Sequence, residues 1–142
     1  MTLREPPSET PDSSSEPLDP PADTRALGRS LIDEFAAGWS KADVDRIMSV
    51  FHQDAVFVET PFAAPRKGWD AVRGYWLDVP YHQSEITIST GEIYAAGPWF
   101  SAEFKAVFRR RRTGAWVEAA GALFCETNGR KIGEMRMYWH RR

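Results

Sequence analysis

Cysteine is nearly missing: Cys125 is the one thiol in 142 residues. A single thiol excludes an intrachain disulfide and any cysteine-based metal framework. Histidine is almost as sparse, with three in all, and neither His-x-His nor His-x-x-x-His occurs. No metal site is therefore expected. Long apolar runs are lacking as well. None approaches the roughly 18 residues of a membrane span, and the N-terminus has no apolar stretch that would serve as a signal peptide. Nor does one sign of charge dominate. A net charge of −2 gives no overall field for nucleic acid or an anionic membrane. These absences predict a cytoplasmic protein with no nucleic-acid or membrane partner.

What is present is unevenly placed. Residues 1–22 hold six of the ten prolines, four serines and five acids against Arg4 alone, so they carry −4 and leave +2 for the rest. Such a segment has too little to bury to offset its ordering entropy. It reads as a disordered acidic tail, followed by one domain over 23–142. Aromatics make up 13% of the chain, with six Trp and eight Phe. That is enough bulky apolar surface for a core and a cavity lining.

A helix is expected from Asp23, its cap, with Leu27, Leu31, Phe35 and Trp39 in one apolar stripe. Ser40 precedes Asp43 by three residues, a capping-box-like start to a second helix with Val44, Ile47, Met48 and Phe51 on one face. Residues 54–60 read as a strand closed by Pro61, and 61–67 as a loop. Residues 68–77 read as a short helix that Pro80 ends. The period then changes. Strands are expected over 85–95, 99–111, 115–126 and 131–140, separated by Gly97-Pro98, Thr113-Gly114 and Asn128-Gly129. Those are hairpin signals, and they imply an antiparallel meander.

This order of elements, with Asp54-Ala-Val-Phe-Val-Glu-Thr-Pro61, Gly68-Trp-Asp-Ala-Val-Arg-Gly-Tyr-Trp76 and a closing Met137-Tyr-Trp-His140, resembles the nuclear transport factor 2-like superfamily. Within it, the chain resembles the SnoaL-like branch. The resemblance implies an α+β fold: a curved antiparallel sheet wrapped around helices, enclosing a cone-shaped pocket, as in cystatin-like folds. Relatives include ketosteroid isomerases, polyketide cyclases, dehydratases, epoxide hydrolases and non-catalytic binding modules. One fold with many chemistries leaves the site to decide.

Glu59 is the expected catalytic residue. Strand alternation puts it on one face with Ala55 and Phe57, and the resemblance aligns it with the general base of ketosteroid isomerases. A carboxylate among aromatics suits proton transfer; the plain alternative is a solvated strand-end acid or a pair with Arg66 or Lys67. The oxyanion donors of those isomerases correspond to Phe35 and Gly121, which have no side-chain donor, so steroid isomerisation is not expected. Phe35, Trp39, Phe57, Trp76, Met137 and Trp139 are the expected ligand-binding residues, with Met135 beside them. Such a lining suits a small hydrophobic or aromatic molecule, with no cofactor.

The remaining polar groups carry less. His52, His82 and His140 read as surface residues, with His82 in a loop bordering the pocket mouth. Glu59, Arg73, Glu103 and Glu118 supply the residue types of an epoxide-hydrolase constellation but no matching triad. Glu103 and Glu118 alternate to the outer sheet face, within reach of Lys105. Arg109 to Arg112 read as a solvated turn. Trp99, Val107, Trp116 and Phe124 share the outward register, so a homodimer through that face is expected. Two function classes stand: a cofactor-free acid–base enzyme (isomerase, cyclase, dehydratase or hydrolase), or a non-catalytic ligand-binding or dimerisation module.

Overall fold

The computed structural model describes residues 21–142. The expected acidic tail lies outside them, except for its last two positions. Helix α1 (Pro21–Ser40) starts before Asp23, which is inside the helix rather than its cap. A proline is suited to a first helical position, where its missing N–H leaves nothing unpaired. The stripe behaves as read: Ile32, Phe35 and Trp39 are buried. Helix α2 (Val44–Met48) buries Val44, Ile47 and Met48. Its cap is Asp43, whose carboxylate accepts from Arg46 N at 3.1 Å. Ser40 instead donates back to Ala36 O at 2.8 Å, so the expected capping box does not form.

Strand β1 (Phe51–Val58) begins earlier than expected and stops one residue before Glu59. The expected 61–67 loop carries at its end β2 (Arg66–Lys67), paired antiparallel to β1. Helix α3 (Trp69–Trp76) buries Val72 and Trp76. Pro80 does not end the helical region. It lies in the first turn of α4 (Asp78–His82), where backbone N–H groups have no helical partner to lose. His82 is thus helical rather than in a loop.

The expected 85–95 strand is two strands, β3 (Gln83–Thr90) and β4 (Tyr94–Ala96). The break is held by α1: Arg29 donates to Gly91 O at 2.9 Å, and Arg25 to Ile93 O at 3.1 Å. Strands β5 (Trp99–Arg110), β6 (Trp116–Thr127) and β7 (Ile132–Arg141) follow as the expected meander. The Asn128-Gly129 turn has the positive φ of 96° at Gly129 that such hairpins need. Sheet order is β2-β1-β7-β6-β5-β3, with β4 on β5.

One seam corrects the all-antiparallel expectation. β1 pairs with β7 in parallel, Phe57 opposite Met135. The chain between them contains α3, α4 and the whole meander, ample length for a parallel connection. The α+β architecture stands, with a sheet that is antiparallel except at that seam.

The inner sheet face carries Phe100, Ala102, Phe104, Ala106 and Phe108 of β5, and Met135 and Met137 of β7, against α1 and α3. The outer face is charged where expected. Lys105 pairs with Glu118 at 2.7 Å, and hydrogen bonds from Lys105 and Arg142 hold the Glu118 carboxyl below its usual range. Gly121 is forced by β7: a Cβ there would lie 1.9 Å from Tyr138 O. No residue with a side chain fits at that position without moving the strand.

Candidate active site

Alternation along the sheet leads to an opening at one end of the inner face. A cavity of about 160 Å³ lies there, between the ends of β5, β6 and β7 and the helices α1, α3 and α4. That is close to the size at which an apolar cavity accepts a single aromatic ring. Trp39, Phe104, Phe108, Met137 and Trp139 form its apolar wall. The polar groups are Glu59, Tyr75, Asp78, His82, Gln83, Arg110 and Arg141.

Four expected site residues meet here: Glu59, Trp39, Met137 and Trp139. The other three lie behind the wall. Phe35, Phe57 and Trp76 are buried to within 1% and do not border the cavity. Trp76 is their hub, with ring centroids 5.1 Å from Phe35 and 5.4 Å from Phe57. It also backs Trp39 at 5.2 Å, so the core positions a wall that it does not itself form.

Hydrogen bonds fix both wall indoles. Trp39 Nε1 donates to Gln83 Oε1 at 3.0 Å. Trp139 Nε1 donates to the main-chain oxygen of Glu59 at 2.9 Å. This second bond matters because Glu59 has just left β1 and has no ladder partner. It anchors the backbone and leaves the carboxylate unused. Glu59 is half-buried, and among the described residues its carboxylate pairs with neither Arg66 nor Lys67; Arg66 lies over the Tyr75 ring at 5.2 Å instead.

Tyr75 went unread in the sequence because Trp76 beside it took the apolar position of α3. Its hydroxyl stays protonated well above the usual tyrosine range, first through burial and then through the charges of Glu59 and Asp78. The cavity therefore holds a phenol donor where the positions of Phe35 and Gly121 offer none. The same shift predicts an alkaline weakness. The unfolded chain releases this proton near pH 10.0, so the stability tied to the neutral phenol is complete below that pH and lost as pH rises above it. Thermal midpoints of Tyr75→Phe should fall less steeply above pH 10 than those of the parent; parallel curves would remove the effect.

His82 and Asp78 join across one turn of α4, Nδ1 to Oδ1 at 2.7 Å. Arg110 and Arg141 are the last residues on the inward registers of β5 and β7, and among the described residues neither side chain makes an ion pair or hydrogen bond. The remaining residues of the epoxide-hydrolase set are elsewhere: Arg73 pairs with Asp45 at 3.3 Å on the surface, and Glu103 and Glu118 are on the outer face. No group of three His, Cys, Asp or Glu among the described residues is placed to hold a metal ion. Cys125 is buried, which pushes its thiol up and leaves it inert. No described helix is long and apolar enough to cross a membrane.

Residues 32–135 match the SnoaL-like domain family. The chain belongs to that family. Its solved neighbours share the ketosteroid isomerase-like fold at low identity. A protein with that fold from Catenulispora acidiphila, solved with trimethylamine, superposes with a TM-score of 0.68 at 17% identity, over 76% of this chain and 83% of its own. The epoxide hydrolase/cyclase-like enzyme SalBIII of salinomycin pyran-ring formation gives 0.73 at 21%, over 83% and 94%. RV0760c of Mycobacterium tuberculosis, in complex with estradiol-17beta-hemisuccinate, gives 0.67 at 15%, over 80% and 94%. No curated protein matches the sequence. In this SnoaL-like domain the cavity lies between the ends of β5, β6 and β7 and the helices.

Proposed function

We propose that this SnoaL-like domain is a cofactor-free acid–base catalyst acting on a small hydrophobic or aromatic molecule, with Glu59 as the base. The observation that carries it is Glu59 itself: its backbone is anchored by Trp139, its carboxylate has no partner among the described residues, and it lines a cavity walled by Trp39, Met137 and Trp139. A base must be free of competing hydrogen bonds and within reach of the bound molecule. The apolar wall positions a ring, and Tyr75 supplies a protonated donor for oxygen that gains charge. Isomerisation, cyclisation, dehydration and hydrolysis all fit this set, and SalBIII and RV0760c show the fold with a cyclase-like name and a bound steroid ester.

The test is a substrate that asks only for a base. A benzisoxazole loses its ring C–H proton and opens to a cyanophenol in one step. We expect saturable ring opening, faster than in carboxylate buffer of the same concentration. A probe that raises the thermal midpoint yet is never opened would instead identify a binding module.

We also propose that the outer sheet face pairs with a second copy of the chain. Trp116, Phe124 and Tyr138 are exposed there, with Phe124 and Tyr138 edge-to-face at 5.6 Å beside the small Ala120 and Ala122. Large exposed apolar groups clustered on a sheet face mark an interface. Light scattering should show a dimer, and Phe124→Glu with Tyr138→Glu a monomer. A monomeric parent at tens of micromolar would end this reading.

A further inference from the structure

The basic run at residues 109–112 does more than solvate a turn. Arg111 N donates to His82 O at 3.0 Å, and its guanidinium Nε donates to Pro80 O at 3.0 Å. One residue at the end of β5 thus holds two carbonyls of α4. Pro80 stiffens the same turn. A five-residue helix would otherwise fray; here it is pinned against the cavity mouth.

That pinned turn presents the Asp78–His82 pair. Nδ1 lies 2.7 Å from the Asp78 carboxylate and 3.3 Å from the Asp78 main-chain oxygen; two acceptors on that side keep a proton on Nδ1. Nε2 has no partner among the described residues, and His82 borders the same cavity as Glu59. The other ionisable groups lining that cavity, besides Asp78, are Glu59, Tyr75, Arg110 and Arg141. None of them is hydrogen-bonded to the ring. An imidazolium held by a carboxylate at one nitrogen, with the other N–H unpartnered beside a cavity that contains a second acid–base group, is arranged to give up a proton there.

Building on the Glu59 reading, we propose that His82 is the general acid opposite Glu59, with Asp78 as its positioning residue, and that the natural reaction breaks a carbon–oxygen or similar heteroatom bond as the proton leaves carbon. This selects elimination of water or opening of a strained oxygen ring from the wider set above. The step balances without a further reagent. Glu59 takes the proton, the C–H electrons form the new π bond, and the broken bond leaves its pair on the heteroatom. The Nε2–H of the His82 imidazolium protonates that atom and leaves the neutral ring with its proton on Nδ1; Glu59 then releases its proton to solvent, and His82 takes one back.

Two benzisoxazoles separate this role from a structural one. The 5-nitro compound has a good leaving oxygen that needs no acid; the unsubstituted compound has a poor one. His82→Gln should slow the unsubstituted probe by about 100-fold and the nitro probe by less than about threefold. Asp78→Asn should show the same bias at smaller size. Equal slowing of both probes, or of neither, by His82→Gln overturns the acid role and leaves Glu59 standing. No turnover of either probe by the parent protein overturns both. His82 and Asp78 are exposed, so both variants should fold, and an unchanged thermal midpoint checks it.

Discussion

Glu59→Gln should lower the opening of a benzisoxazole by about 10²–10⁴-fold, the share a positioned base contributes, while the dissociation constant changes by less than about threefold. The reason lies in which atom of Glu59 the protein uses. Trp139 Nε1 donates to the main-chain oxygen, 2.9 Å away, and no described side chain takes the carboxylate. Glutamine keeps that backbone anchor, the length and the polarity, and removes only the basic lone pair. The wall of Trp39, Met137 and Trp139 stays as it is, so binding survives. A change in kcat with KM fixed is the mark of a group that acts in the transition state alone. Turnover within threefold of the parent would take Glu59 out of the chemistry and leave a binding module. Asp78 is the other carboxylate lining the cavity, but it is paired with His82, which makes it a poor substitute.

The course of the chain was legible where local chemistry dictates it. Asn128-Gly129 and Thr113-Gly114 need positive φ, and glycine supplies it at 96° and 75°; the meander follows from those turns. The spacing-four stripe of α1 likewise reads directly, because burial of Phe35 and Trp39 repeats with the helix. What escaped was set by distant partners. Thr90 and Gly91 end β3 because Arg29, sixty-odd residues earlier, binds both. The parallel seam of β1 with β7 has no local signal at all, since nothing within residues 51–58 specifies which edge they join. Pro80 misled for a different reason: the rule that proline stops a helix applies to interiors, and α4 begins two residues before it.

The site shows the same division. Inward alternation correctly brought Glu59, Met137 and Trp139 to one place. Depth along the inward face was beyond it: Phe57 and Glu59 alternate together, yet one is in the core and the other at the cavity, because β1 ends at Val58 and Glu59 lies past it. Arg110 and Arg141 were readable in principle. Each is two residues past an inward aromatic, Phe108 and Trp139, so alternation alone directs them to the mouth. The basic cluster of 109–112 hid Arg110, since a charge run ordinarily means solvent. The Asp78–His82 pair was hidden by the missed helix, as only helical geometry brings residues four apart together.

The largest stability effect should come from Trp76, and its size should depend on what replaces it. The indole is 1% exposed and meets Phe35, Trp39, Phe57 and Tyr75 at centroid distances of 5.0–5.4 Å. Truncation to alanine removes all four ring contacts and leaves a void in a core that sheet and helices hold rigidly, so Trp76→Ala should cost about 3–5 kcal/mol. Phenylalanine is a different case. Trp76 Nε1 is buried without a partner among the described residues, and an unpaired buried donor costs about 1–3 kcal/mol. Trp76→Phe deletes that donor along with half the indole, so the two effects oppose, and the net loss should be about 1 kcal/mol. Denaturant unfolding of the three proteins measures both. The wall of the cavity should respond in parallel: Trp39 rests on Trp76 at 5.2 Å, so the alanine variant should bind a benzisoxazole weakly and the phenylalanine variant nearly as well as the parent. If both variants lose more than about 3 kcal/mol, the indole N–H is satisfied in solution, and the core is less tolerant of a smaller ring than its geometry implies.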